Sequence, residues 1–149
     1  MNCPIHVTVA AVVERAGRFL LVEERVEGRT VFNQPAGHLE PGESLLQAIQ
    51  REMREETALP LEPRALVGIY QYEPSEKRRT YVRFCFTGEV DQALPGAELD
   101  AEIIATHWLT LQEIQALGER LRSPMVLRCI QDHQTGRHLP LDCLQRIHP

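Results

Sequence analysis

Apolar and polar positions alternate in part through IHVTVAAVV, residues 5–13, whose β-branched content predicts a strand. A polar turn follows from Glu14 to Gly17, and RFLLVEER (18–25) predicts a second strand, completing a hairpin. Val31 to Gln34 reads as another short strand that Pro35 stops, and the polar run GHLEPGE sets a loop from Gly37 to Gly42 ahead of a helix. Between Ser44 and Glu56, Leu45, Ile49 and Met53 recur at helical spacing with Leu46 and Ala48 beside them. Beyond Pro60 and Pro63, ALVGIYQY (65–72) and TYVRFCFTGEV (80–90) predict strands on either side of the charged turn EPSEKRR. IIATHWL (103–109) predicts a further strand and LQEIQAL (111–117) a short helix. In LRSPMVLRCIQDH, Ser123 stands as an N-cap with Pro124 at the first helical position, so the last helix is expected to start at Pro124. Strands surrounding one long and two shorter helices predict an α/β fold with a mixed sheet covered on both faces. No linker interrupts the pattern, and residues 1–149 are expected to form one domain.

The balance of 43% hydrophobic and 25% charged residues, without low-complexity tracts, fits a soluble globular chain. A net charge of −5 argues against a duplex nucleic-acid partner, whose phosphates need a basic face. It leaves room for a single nucleotide whose contact a divalent cation mediates. The apolar run ending at Glu14 has no basic residue before it and suits neither a secretory signal nor a membrane span, so a cytoplasmic location is expected. Cys3, Cys85, Cys129 and Cys143 form no CxxC pair and stand at no zinc-finger spacing; reduced structural thiols are expected.

The stretch QREMREETA places Glu52, Glu55 and Glu56 within five positions. Like charges at helical spacing cost roughly 0.2–0.5 kcal/mol per pair, so some other interaction should offset them. Carboxylates are ligands of hard cations, and Mg²⁺ binds through one or two of them while sharing its other positions with water and substrate phosphates. The plain alternative is a solvated face on which Arg51 and Arg54 neutralise their neighbours. Against it, Gly37 and Gly42 allow the backbone before the helix to approach closely or adopt φ > 0. Glu43, eight residues before Arg51, reaches it only through folding.

Gly37, five residues, Glu43, seven residues, Arg51-Glu52-Met53, one residue, Glu55-Glu56, one residue and Ala58-Leu59 together resemble the Nudix box. HVTVAAVV, FLLVEE, FNQPAGHLEPGESL and LRSPMV extend the resemblance to phosphatases of that family. The resemblance implies an α/β/α sandwich with a mixed sheet and Mg²⁺-dependent hydrolysis of phosphoanhydrides, with Mn²⁺ as a substitute. Nucleoside tri- and diphosphates are the implied substrates, orthophosphate the implied product, and a thiamine-precursor pyrimidine pyrophosphate fits the same chemistry. Nucleotide sugars or dinucleoside polyphosphates are the alternative substrates. A nucleotide-sensing module is the non-enzymatic alternative, against which the intact charged positions argue. At Ala58 the box normally has glycine, and alanine forced into the left-handed conformation would cost about 1–2 kcal/mol.

By the same resemblance Glu52, Glu55 and Glu56 would hold the metal with the Gly37 carbonyl, and Arg51 would orient Glu52 and pair with Glu43. Glu102, six residues before Trp108, matches the carboxylate that the family often adds from a distant loop, with Glu98 as competitor. Glu52 is the first choice of general base, ahead of Glu55 and Glu102. For substrate contacts, Phe32, Tyr70 and Tyr72 could stack on a heterocycle, Lys77, Arg78 and Arg79 could hold a terminal phosphate, and His38 stands beside the box glycine. Aromatic residues in strands are as readily core, and a charge run in a hairpin turn is as readily solvated. The sequence leaves the oligomeric state open.

Overall fold

The computed structural model describes residues 3–148. The first apolar run forms β1 (Ile5–Val12), which pairs parallel with β7 (Thr80–Val90) and antiparallel with β5 (Ala36–His38). β6 (Leu61–Tyr72) adds to the far side of β7, giving a mixed sheet in the order β5-β1-β7-β6. A second, antiparallel sheet is built around β3 (Arg18–Val26), which pairs with β2 (Glu14–Arg15), β4 (Arg29–Asn33) and β8 (Ile103–Leu109). The expected mixed sheet is therefore present, and part of the strand set forms a separate sheet that apolar patterning could not assign.

Side-chain alternation along the strands sorts the core into two layers. Val9, Ala11 and Val13 join Leu20, Leu66 and Phe86 under α1 (Leu45–Thr57), whose Ala48, Ile49 and Met53 are fully buried. Ala10 and Val12 turn the other way, with Leu21 and Cys85, to meet Ile114 of α2 (Leu111–Leu117) and Val126, Cys129 and Ile130 of α3 (Met125–Gln134). Helices thus cover both faces, as the order of elements predicts.

Several boundaries differ from the sequence reading: β4 starts at Arg29 rather than Val31, and the loop expected from Gly37 begins as β5. β6 begins at Leu61 and runs through Pro63 with a register shift before Ala65; as an edge strand it tolerates the missing N–H. The last helix is hydrogen-bonded from Met125, one residue after Pro124, yet Pro124 is already helical (φ −62°, ψ −17°) and Ser123 Oγ accepts from the Met125 N–H at 3.2 Å. Leu139 forms an antiparallel bridge to Leu66, an element with no hydrophobic signature of its own. Cys85 and Cys129 are buried free thiols and Cys3 and Cys143 are exposed. No helix among the described residues is long and apolar enough to cross a membrane.

Candidate active site

The site begins with how α1 starts. Ser44 Oγ accepts from the Gln47 N–H at 3.1 Å and Gln47 Oε1 accepts from the Ser44 N–H at 2.8 Å, a reciprocal cap that fixes the first turn. One and two turns further on, Arg51, Glu52, Glu55 and Glu56 fall toward β5 and the loop after β7. Helix α1 ends at Ala58, left-handed at φ 60° and ψ 10°, with its N–H donating to Arg54 O.

Arg51 ties this face together. Its Nε and Nη2 donate to the two oxygens of Glu43 at 3.0 and 2.8 Å, and Nη1 donates to Glu52 at 2.8 Å and Glu55 at 3.1 Å. Nη2 also reaches the His38 carbonyl at 2.9 Å, so one guanidinium joins α1 to the loop that precedes it. Hydrogen bonding to Arg51 lowers the pKa of the Glu43 carboxyl, and hydrogen bonding to Glu43 raises that of Arg51.

The expected glycines have separate uses. A Cβ on Gly37 would overlap the Glu52 carboxylate and push it from its place against β5, whereas Gly42 supplies a positive φ of 86° in the loop. Burial raises Glu52 to about 7 despite the Arg51 hydrogen bond. Glu56, 5% exposed, accepts the Ala36 N–H at 2.8 Å, and burial raises its carboxyl to about 9.

Three carboxylates come together at one point. Oxygens of Glu52, Glu55 and Asp100 lie within 4.8 Å of one another, a set of hard donors that fits a divalent cation. Asp100 is the residue that the sequence reading missed. The loop after β7 is bound to the end of α1 through Leu94 N–H to Ala58 O (2.9 Å) and Asp100 N–H to Glu55 O (2.8 Å), and this brings Asp100 to the helix. Its only sequence signal is position, two residues before the expected Glu102. Glu102 lines an adjoining cavity of about 340 Å³ with Glu24, Glu56 and Asp100, outside the close trio. Glu56 is also outside the trio, and Glu98 is exposed in the same loop.

A cavity of about 820 Å³ opens beside Gly37 and Glu56. His38 and Tyr72 line it, as do Lys77 and Arg79, while Lys77 also pairs with Glu27 at 3.1 Å. Burial, with the neighbouring His6, lowers the pKa of His38. Three expected substrate contacts do not line this cavity. Phe32 is 5% exposed and packs in the core with the Arg120 guanidinium 4.8 Å from its ring centre; Tyr70 donates to Asp132 at 2.9 Å; Arg78 is exposed in the hairpin turn. Strand position alone could not separate Phe32 and Tyr70 from Tyr72.

The NUDIX domain family model matches residues 4–129. Phosphatase NudJ of Escherichia coli (strain K12) is 39% identical over 139 residues, covering 93% of this chain and 90% of that relative. A Nudix hydrolase from Nitrosomonas europaea superimposes with a TM-score of 0.93 at 45% identity, over 97% of each chain. The Nudix domain of Shewanella oneidensis NrtR, solved in complex with ADP ribose, shares the fold alone: TM-score 0.72 at 19% identity, over 91% of this chain and 90% of that one.

Proposed function

Given that this chain belongs to the Nudix family and is a hydrolase of phosphoanhydrides, we propose that it acts on nucleoside tri- and diphosphates and releases orthophosphate with Mg²⁺ as cofactor. The observation that carries this reading is the meeting of Glu52, Glu55 and Asp100 beside the cavity. Their hard oxygens suit Mg²⁺, with Mn²⁺ as a substitute. When bound, such a cation supplies charge to the phosphoanhydride and lowers the pKa of a water.

The chain's own groups do the rest. Arg51 holds Glu52 through Oε1, which leaves Oε2 to accept a proton from the attacking water. Glu43 fixes Arg51 from the other side by two hydrogen bonds, so the guanidinium is a positioning group. Tyr72, His38 and Arg79 line the cavity wall, which supports a role for them in contacting the nucleotide.

The test is release of orthophosphate and pyrophosphate across a panel of nucleoside tri- and diphosphates, nucleotide sugars, dinucleoside polyphosphates and the thiamine-precursor pyrimidine pyrophosphate. Orthophosphate from nucleoside tri- and diphosphates is the expected result. Preferential cleavage of nucleotide sugars or dinucleoside polyphosphates would overturn it. Asp100→Asn should lower Mg²⁺-dependent turnover more than Glu102→Gln does; the reverse order would move the distant-loop ligand back to Glu102.

A further inference from the structure

Beyond α3 the chain turns at Gly136, left-handed at φ 75°, and Leu139 then lies along β6, exchanging backbone hydrogen bonds with Leu66 at 2.8 and 2.9 Å. Leu141 and Leu144 follow, and both pack against the core layer under α1. Two residues later Arg146 Nη2 donates to the Gly42 carbonyl at 2.8 Å, 104 positions away in sequence. This tail lies beyond residues 4–129, which the family model matches, so the family pattern assigns it no part. We propose that Arg146 is a positioning residue for hydrolysis: it fixes the loop that carries Glu43, and through Glu43 and Arg51 it holds Glu52 in place. This rests on the roles of Glu52 and Arg51 given above.

The loop between β5 and α1 gains from an outside hold. It is closed on itself by a long 3.4 Å bond from Glu43 N–H to Glu40 O and by Glu40 N–H donating to Glu43 Oε1 at 2.8 Å, while Gly42, at φ 86°, has the freedom of a residue without a side chain. Glu43 must nevertheless present both carboxylate oxygens to Arg51, at 3.0 and 2.8 Å, and Arg51 Nη1 in turn holds Glu52 at 2.8 Å. Gly42 O belongs to the planar peptide that leads into Glu43. A guanidinium on that oxygen fixes the plane and with it the direction in which the Glu43 side chain leaves; its charge strengthens the bond. A rotation at Gly42 would be passed through two rigid forks, carboxylate and guanidinium, to the Glu52 carboxylate. Leu139, Leu141 and Leu144 anchor the tail before it reaches Gly42, so the contact of Arg146 needs little further ordering of the chain.

The test compares wild type, Arg146→Met and Arg146→Lys, all with Mg²⁺. Turnover is measured on the compound that the product panel shows to be cleaved fastest, so a failure of the nucleoside-phosphate reading leaves this test standing. Arg146→Met should lower kcat about three- to tenfold with KM changed less than about twofold, and Arg146→Lys, which keeps a charged donor, should recover part of the loss. Hydrogen exchange at the Glu40 and Glu43 amides should quicken at least about threefold in Arg146→Met and slow again in Arg146→Lys, while the amides of α1 stay as protected as in wild type. A chain ended at Leu144 keeps the three leucine anchors and should match Arg146→Met in both readouts. Unchanged kcat or unchanged loop exchange would overturn the proposal. So would a loss of kcat that comes with a lower thermal midpoint and that lysine does not restore, since that describes a contribution to stability alone.

Discussion

Ala58 shows most directly how a single side chain departs from its family without losing the family's backbone. The helix stops in the left-handed conformation that glycine usually supplies, at φ 60° and ψ 10°, and alanine bears the strain. Thr57 helps hold the turn, donating from Oγ1 to Met53 O at 2.6 Å and accepting from the Leu59 N–H at 3.1 Å. Ala58→Gly should therefore stabilise the protein by about 1 kcal/mol. Denaturant melts should give a higher midpoint with the same slope; a lower midpoint would mean that helix propensity outweighs the relieved strain. At Glu52, replacing the carboxylate by an amide preserves volume beside Gly37 but removes the proton acceptor. Glu52→Gln should lower kcat by at least about 100-fold with little change in fold, and near-native turnover would assign the base elsewhere.

At the scale of elements, α1 works as a rigid bar fixed at both ends. Its first turn is fixed by the Ser44–Gln47 cap, and its last is tied to the loop that supplies Asp100 through the Ala58 and Glu55 carbonyls. Ser44→Ala should cost about 1 kcal/mol, measured as a lower denaturant midpoint. It should also loosen Glu43, the residue immediately before the cap, and hence the hold on Arg51. Turnover should then fall by severalfold at most, since Glu52 and Glu55 lie two turns and more beyond the cap. A fall as large as that of Glu52→Gln would mean that the first turn takes part in the chemistry itself.

For the whole molecule, the buried carboxyls make stability depend on pH. Burial raises Glu52 to about 7 and Glu56 to about 9, so both bind protons more tightly in the folded chain than in the unfolded one. Their contribution is fully present below the unfolded value of about 4.5 and is lost as pH rises through 7 and then 9. In chelator the thermal midpoint should therefore fall between pH 5 and 9. Saturating Mg²⁺ should raise and flatten that profile, because a cation bound only to the folded state stabilises it and favours ionised carboxylates. Glu56→Gln keeps an oxygen for the Ala36 N–H and should remove the part of the fall between pH 7 and 9. A flat profile in wild type without metal would refute the burial argument. By itself the sequence determined α1 and its glutamate face, which are written in spacing along one element, and helices on both sides of a sheet, which follow from the order of elements; the Glu43–Arg51 pair rested on the family resemblance. Only the tertiary structure decided which strands share a sheet, that Asp100 joins Glu52 and Glu55, that Phe32 turns into the core, and that the segment after α3 passes β6 to reach Gly42. Those outcomes depend on backbone hydrogen bonds and strand registers between segments far apart in the chain, and such pairings leave no period in the sequence of either partner.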